Sequence, residues 1–416
     1  MTTVPTDEDL ARGLLGAAPV RARAGVMLEA GIARRLDHFD VHLDRLPAAA
    51  EFVLQVIRRA YPTLDIPFHA RWRHFEAGGF DRWGAYAEAV GFADVGAMGR
   101  AAYDLAILSV LLDAGAGPSW RYAEGVTGET FARSEGLAVA SFAMMTSGLF
   151  SAVPLDPFRA DAAALRTLTE AELAAGFQVD DGNPLVGLAG RTALLNRLGK
   201  AVEAAPDVFA LADHPRPGGL FDLLFAEAEA AGGTLPAPRI LAVLLSALGP
   251  IWPGRLALGN VDLGDTWRHP AIVTDDVTSG LMPFHKLSQW LAYSLIEPLV
   301  WAGIDVTDVD GLTGLAEYRN GGLFLDLGVI TLKDPAAAAV AHPVESPLVV
   351  EWRALTVALL DRIADEIRRS LGRDAESLPL AKVLEGGTWA AGREIARRLR
   401  PGGGPPLTVA SDGTVF

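Results

Sequence analysis

The chain has 416 residues, half of them apolar, a formal net charge of −15 and no cysteine. That length and apolar content suffice for one large core or for two to three smaller domains. The acidic balance argues against a nucleic-acid or anionic-membrane binder, and the lack of cysteine excludes disulfides, thiol nucleophiles and cysteine-ligated zinc.

The N-terminal MTTVPTDEDLARGLL has no basic region followed by an apolar run, so no secretory signal is expected. The most apolar windows, 240–252 and 291–304, are interrupted by Pro250 and by Glu297-Pro298, which leaves both too short to span a bilayer. A soluble cytoplasmic protein is the expectation.

Helical periodicity dominates. Apolar residues recur at mixed three- and four-residue spacing over 21–36 and 48–60, predicting two helices. The stretch FHARWRHFEAGGFDRW, 68–83, then sets His69, Arg71, Arg73, His74, Glu76 and Arg82 among rings that include Trp72 and Phe75. Alternating guanidinium and aromatic side chains suit a planar or phosphorylated ligand, gripped bidentately and stacked. They suit equally an interdomain loop of hydrogen bonds and cation–π pairs. His69 and His74 lie five apart, which is not the four-residue spacing of a helical metal pair, and no metal site is expected.

Helices are predicted next at 80–90 and 99–114. The second ends in LLDAGAGPSWRY, where Asp113 is either a desolvated carboxylate or a loop cap. Ser134 and Glu135 read as N-cap and first-turn acid of a helix over 137–145, an end that would also suit a ligand phosphate. Further helices follow at 157–175, 189–204, 238–248, 283–300 and 349–371, with Thr169-Glu170 and Asp308 as start signals. Strand candidates are few. LFLDLGVITL, 323–332, mixes alternation with β-branched residues, and LTVASDGTVF reads as a hairpin about Asp412-Gly413. The Gly- and Pro-rich joints are too short for free linkers. The expected fold is mainly α, one compact helical unit with small β elements; a division into 1–235 and 236–416 is the alternative.

Two stretches stand out chemically. In PFHKLSQWLAYSLIEPL, Lys286, Gln289, Tyr293 and Glu297 follow one another along one stripe of an otherwise apolar helix. Such a stripe faces water, or it lines a buried cleft in which Lys286 meets an anion. In GLTGLAEYRNGGLFLD, 311–326, Glu317, Tyr318 and Arg319 stand side by side between glycines and apolar residues. Neither a solvated helix face nor a core strand asks for that arrangement. GxGxxG after a strand, GxxxxGK[ST], GxSxG and HExxH are all missing, which disfavours dinucleotide oxidoreductases, common NTPases, serine hydrolases and zincins.

Read together, several blocks resemble a single family over essentially the whole chain. They include LDHFDVHLDRL (36–46), IPFHARWRHFEAGG (66–79), SVLLDAGAGPSWRY (109–122), GFQVDDGNPLVGLAGR (176–191), LGPIWPGRLALG (248–259), PFHKLSQWL (283–291) and GLTGLAEYRNGG (311–322). The family is the one associated with fungal and bacterial uracil catabolism, the URC pathway, and the resemblance implies breakdown of the pyrimidine ring through ribosylurea-type intermediates. A more distant likeness rests on FHKLSQ (284–289) and TGLAEYR (313–319). These are similar in order and spacing to the YKRAQ-like helix and T-x-F-A-D-Y-R turn of queuosine 5′-phosphate N-glycosylases. That family resembles the helix-hairpin-helix DNA glycosylases in fold, and its aspartate is Glu317 here, one methylene longer.

The second likeness implies an N-glycosidase that needs no cofactor and takes a small phosphorylated riboside as its partner. Cleavage of an N-glycosidic bond passes through an oxocarbenium-like sugar. On this reading Glu317 stabilises that charge or activates water, while Lys286 and Arg319 grip the phosphate; the alternative for Arg319 is pairing with Glu317. His285, Asp113, Glu76 and Tyr318 are candidates for contacting the leaving group, and Trp72 and Phe75 for closing the pocket. Gln289, Arg71, Arg73 and His74 complete the expected binding set. The alternatives are a hydrolase or deaminase of an earlier ureido intermediate and a non-catalytic binding protein of the same pathway.

Overall fold

Residues 5–209, 214–252 and 256–410 are described by a computed structural model. The helices that frame the site and its supports are α1 (Ala17–Ile32), α2 (Leu46–Ala60), α3 (Val95–Leu111), α4 (Arg133–Thr146) and α5 (Leu188–Ala204). After them come α6 (Ala237–Leu248), α7 (Lys286–Trp301), α8 (Tyr318–Asp326), α9 (Pro347–Leu371) and α10 (Trp389–Leu399). The β structure consists of two-stranded pairs, so the protein is mainly α.

The central helices are α7 and α9, whose buried residues extend round most of each helix and include polar ones such as Gln289, Glu351 and Arg353. From Leu348 to Leu360 every residue of α9 is buried, and α7 is buried at most of its positions. Helix α9 starts where Ser346 accepts the Val349 N–H and ends at Gly372, which takes the left-handed conformation. It packs on α1, α2 and α8, while α7 packs on α3 and α6. One hydrophobic core runs from Ala17 to Leu407 and draws on residues from both sides of position 235. No helix among the described residues is long and apolar enough to cross a membrane.

Two close approaches explain glycines that composition alone left open. A Cβ on Gly321 would stand 2.7 Å from the Trp352 Nε1 atom, and one on Gly392 would stand 2.2 Å from the Arg319 carbonyl oxygen. The head of α8 is thereby pressed against both α9 and α10.

The predicted helices over 48–60, 189–204, 238–248, 283–300 and 349–371 are present within a few residues of their expected bounds. The helix expected over 157–175 is instead two, Ala162–Thr167 and Glu170–Gly176. Thr169 and Glu172 exchange capping bonds there, and that box starts a new helix rather than continuing the old one. The strand expected over 323–332 is also corrected. Glu317 caps a helix that consumes Leu323, Phe324, Leu325 and Asp326, and only Ile330–Leu332 is strand, antiparallel to Phe39–Val41. Ser134 is not an N-cap: helix α4 begins at Arg133, and the N-cap is Ala132, two residues before Ser134. The hairpin turn at Asp412-Gly413 lies outside the described residues, and Thr408–Ala410 pairs in parallel with Ala341–Pro343.

Candidate active site

Helix α7 contains Pro298, which has no N–H to offer the carbonyl four residues back. That carbonyl, on Ser294, instead accepts the Trp72 indole N–H at 2.7 Å, and the Ser294 hydroxyl accepts the Arg71 backbone N–H at 2.9 Å. The 68–76 segment is thus fastened alongside α7. At the other end of α7, the Lys286 backbone N–H is capped by Asp265 at 3.0 Å. Asp265 is held by a bidentate pair with the buried Arg353 of α9, at 2.7 and 2.9 Å.

The polar stripe of α7 faces protein rather than water. Gln289 and Thr313 exchange two hydrogen bonds, at 2.7 and 3.2 Å, and the Tyr293 hydroxyl donates to the Thr313 carbonyl at 3.0 Å. These bonds dock the 312–316 loop onto α7, and Arg353 adds a bond to the Ala316 carbonyl. The next residue is Glu317, so the docked loop delivers its carboxylate to the head of α7.

A cavity of about 370 Å³ opens at this junction, within the ~300–1,000 Å³ range of small-molecule sites. Lys286 and Trp290 of α7 form one wall; Leu315, Glu317, Tyr318 and Arg319 at the head of α8 form another. His69 and His74 line it from the 68–76 segment, and Asp113 to Pro118 from the loop after α3. Arg133 and Ser134 of α4, Trp389 of α10 and the glycine loop Gly402–Gly404 complete it.

Glu317 is buried, and its two oxygens accept the N–H groups of Arg319 (2.7 Å) and Asn320 (2.6 Å). The carboxylate therefore sits at the positive end of α8 with its orientation fixed. Burial raises its pKa; the two N–H bonds and the charge of Lys286 oppose the rise. Lys286 is shifted the other way. Burial lowers its pKa, while Glu317 and Asp113 support its charge. Among the described residues no hydrogen bond or salt bridge engages the Lys286 ammonium, which leaves it available to an anion.

Arg319 uses its backbone, not its guanidinium, on Glu317. The guanidinium lies 4.8 Å from the centre of the Tyr318 ring and donates to the Gly403 carbonyl at 2.7 Å. Arg400 fixes the same loop, donating to the Gly404 carbonyl and forming a bidentate pair with Asp326. Two further polar atoms of cavity residues, the Trp290 Nε1 and the His74 Nδ1, are buried without a partner, the condition expected of groups that await a ligand or water.

Of the residues expected from sequence, Glu317, Tyr318, Arg319, Lys286, Asp113 and His74 meet at this cavity, and seven others do not line it. His285 is buried with its Nε2 on the Leu14 carbonyl at 2.9 Å. Gln289 is spent on Thr313. Arg71 is fully buried and binds Ser109, Asp113 and the Ser134 carbonyl, so it supports the cavity wall from behind. Arg73 pairs with Glu297 and Glu76. Trp72 and Phe75 pack in the core against each other and against Trp83, Trp301 and Phe142. Sequence reasoning did not place Trp290, Trp389, Arg133 or the glycine loop at the site, nor the supporting pair Asp265 and Arg353. Among the described residues no group of three or more His, Asp or Glu side chains is arranged to hold a metal.

Fold and cavity together define a mainly α protein with a cavity, lined by the buried Glu317 and Arg319 and by Lys286, at the meeting of two helix N-termini. Residues 13–416 match the family described as "Protein of unknown function (DUF1688)", and the chain belongs to that family. It is 39% identical over 410 residues to "Protein urg3" of Schizosaccharomyces pombe, covering 97% of this chain and 98% of that protein. It is 38% identical over 410 residues to "Uracil catabolism protein 4" of Lachancea kluyveri, covering 91% and 92% of the two chains.

Proposed function

We propose that this protein is an enzyme of uracil catabolism that hydrolyses the N-glycosidic bond of a ribosylurea or related nucleoside 5′-phosphate, releasing urea or a ureido compound. The pathway follows from the name of the Lachancea kluyveri relative. The observation that carries the reaction is the pair at the cavity: a buried carboxylate, Glu317, fixed by the head of α8, beside an ammonium, Lys286, that is not paired internally. A helix-hairpin-helix glycosylase-like core, built on α7, the connecting loop and α8, belongs to the same proposal.

In the reaction the C1′–N bond breaks and its electron pair leaves with the nitrogen, which takes up a proton. Positive charge develops at the anomeric carbon, where an adjacent carboxylate is most stabilising. Glu317 supplies that carboxylate and receives a proton from the water that adds to C1′. The low-polarity surroundings strengthen its field. Lys286 and Arg319, with the glycine loop, hold the phosphate. On this reading Tyr318 and Asp113, which line the same cavity, orient the sugar and the departing group.

Purified protein incubated with ribosylurea 5′-phosphate should release ribose 5-phosphate, and Glu317→Ala and Lys286→Ala should each suppress the release. Turnover that survives both substitutions would refute the mechanism. Ribose 5-phosphate should also raise the melting temperature, since a ligand that binds only the folded state stabilises it.

A further inference from the structure

The glycosidase reading leaves open which group protonates the departing nitrogen. Two imidazoles line the cavity from one short segment, and their surroundings separate them. His74 is pushed down to about 3 by burial and the nearby Arg71 charge, so it stays neutral. His69 is placed differently. Its Nδ1 meets the Glu385 carboxylate at 2.7 Å, and its backbone N–H donates to the Ala381 carbonyl at 3.0 Å. Its ring is tilted against both Trp290 and Trp389, with centroids 6.4 and 6.0 Å away. With Nδ1 committed to Glu385, the second ring nitrogen, Nε2, remains for the cavity.

Glu385 reaches His69 from an unusual backbone. Residues Leu384–Thr388 form a π-helical turn directly ahead of α10, and such turns are rare and concentrate at functional sites. A carboxylate on one imidazole nitrogen fixes the tautomer and ring orientation. His69 and Glu317 line the same cavity, so acid and carboxylate serve one site.

We propose that His69, oriented by Glu385, is the general acid that delivers a proton from Nε2 to the leaving ureido group while Glu317 serves the anomeric carbon. The proposal rests on the N-glycosidase reading. In the step, the C1′–N bond breaks, the nitrogen keeps the electron pair and takes the Nε2 proton, and His69 becomes neutral. Water adds to C1′ and gives its proton to Glu317; transfer of that proton back to His69 through solvent resets the site. Glu385 is a positioning residue and does not touch the substrate.

The test compares two substrates, ribosylurea 5′-phosphate and 4-nitrophenyl riboside 5′-phosphate, whose nitrophenolate leaves without needing a proton. His69→Asn should lower kcat on the ureido substrate by about 10²–10⁴-fold, the usual contribution of a general acid. Its loss on the nitrophenyl substrate should be at least tenfold smaller. Glu385→Gln should show the same leaving-group selectivity with a weaker loss. Equal losses on both substrates would mean that His69 only fastens the wall, and no loss on either would mean that it is a bystander; both results overturn the proposal. If His69→Asn leaves both rates intact while Glu317→Gln abolishes them, the glycosidase reading stands and only the acid assignment falls. If the unaltered protein cleaves neither substrate, the glycosidase reading fails and this assignment falls with it.

Discussion

The segments 68–83 and 311–326 both place charged side chains among apolar neighbours, and the fold uses them in opposite ways. In the first, most charges are taken up internally. Arg71 is bound by Ser109 and Asp113, Arg73 by Glu297, and Arg82 by a bidentate pair with Glu124 at 2.5 and 2.6 Å. In the second, a docked loop and a helix head turn the Glu317 carboxylate into the wall of a cavity. Buried charge marks a candidate site when the internal partners only orient it and leave an open side; where they consume it, the charge holds the fold together.

That contrast can be broken most directly at Glu317. Glu317→Gln keeps an acceptor for the α8 N–H groups but removes the negative charge, so the protein should stay folded while kcat on ribosylurea 5′-phosphate falls by about 10²–10⁴-fold. Unchanged kcat would place Glu317 with the structural charges. Arg82→Ala should do the reverse. It strands the buried Glu124 carboxylate, and chemical denaturation should show a loss of roughly 3–5 kcal/mol with the kcat of the folded fraction unaffected.

Glu297 sharpens the contrast through pH. Burial raises it from 4.5 to about 7 against the opposing charge of Arg73. Between those values the folded protein holds a proton that the unfolded chain has released, so this group makes stability fall as pH rises through the window. Glu297→Gln should therefore flatten the stability profile between pH 4.5 and 7 by roughly 2–3 kcal/mol, measured as the difference from the unaltered protein. A parallel pair of profiles would contradict the assignment. The smallest effect is expected at Trp72→Phe, which leaves the Ser294 carbonyl without its indole donor and should cost about 1 kcal/mol in the same denaturation assay.

The helices were legible because their apolar spacing is long and regular, as over 189–204 and 349–371. LFLDLGVITL was misread because its local pattern fits a strand, whereas the cap that makes its first half helical, Glu317, lies six residues upstream of it. Lys286, Glu317, Tyr318 and Arg319 could be grouped from sequence through the two short blocks that resemble a glycosylase turn. For the residues at 71–73 and 75 the sequence left a ligand grip and an internal network equally open, because composition shows which groups are present and not which partners consume them. The pairing of His69 with Glu385 spans 316 positions and depends on a π-helical turn, which no local pattern announces. The glycine loop at Gly402–Gly404 is held at the cavity by Arg319 and by Arg400, which Asp326 fastens in turn, and these are long-range contacts that no local pattern shows.

The central claim is that a phosphorylated riboside binds between the heads of α7 and α8. A crystal structure of the Glu317→Gln protein soaked with ribosylurea 5′-phosphate tests it most directly. The intact ligand should appear in this cavity, with its phosphate on Lys286 and Arg319 and its anomeric carbon beside the introduced carboxamide. A ligand bound elsewhere, or one in this cavity with its phosphate turned away from Lys286, would contradict it.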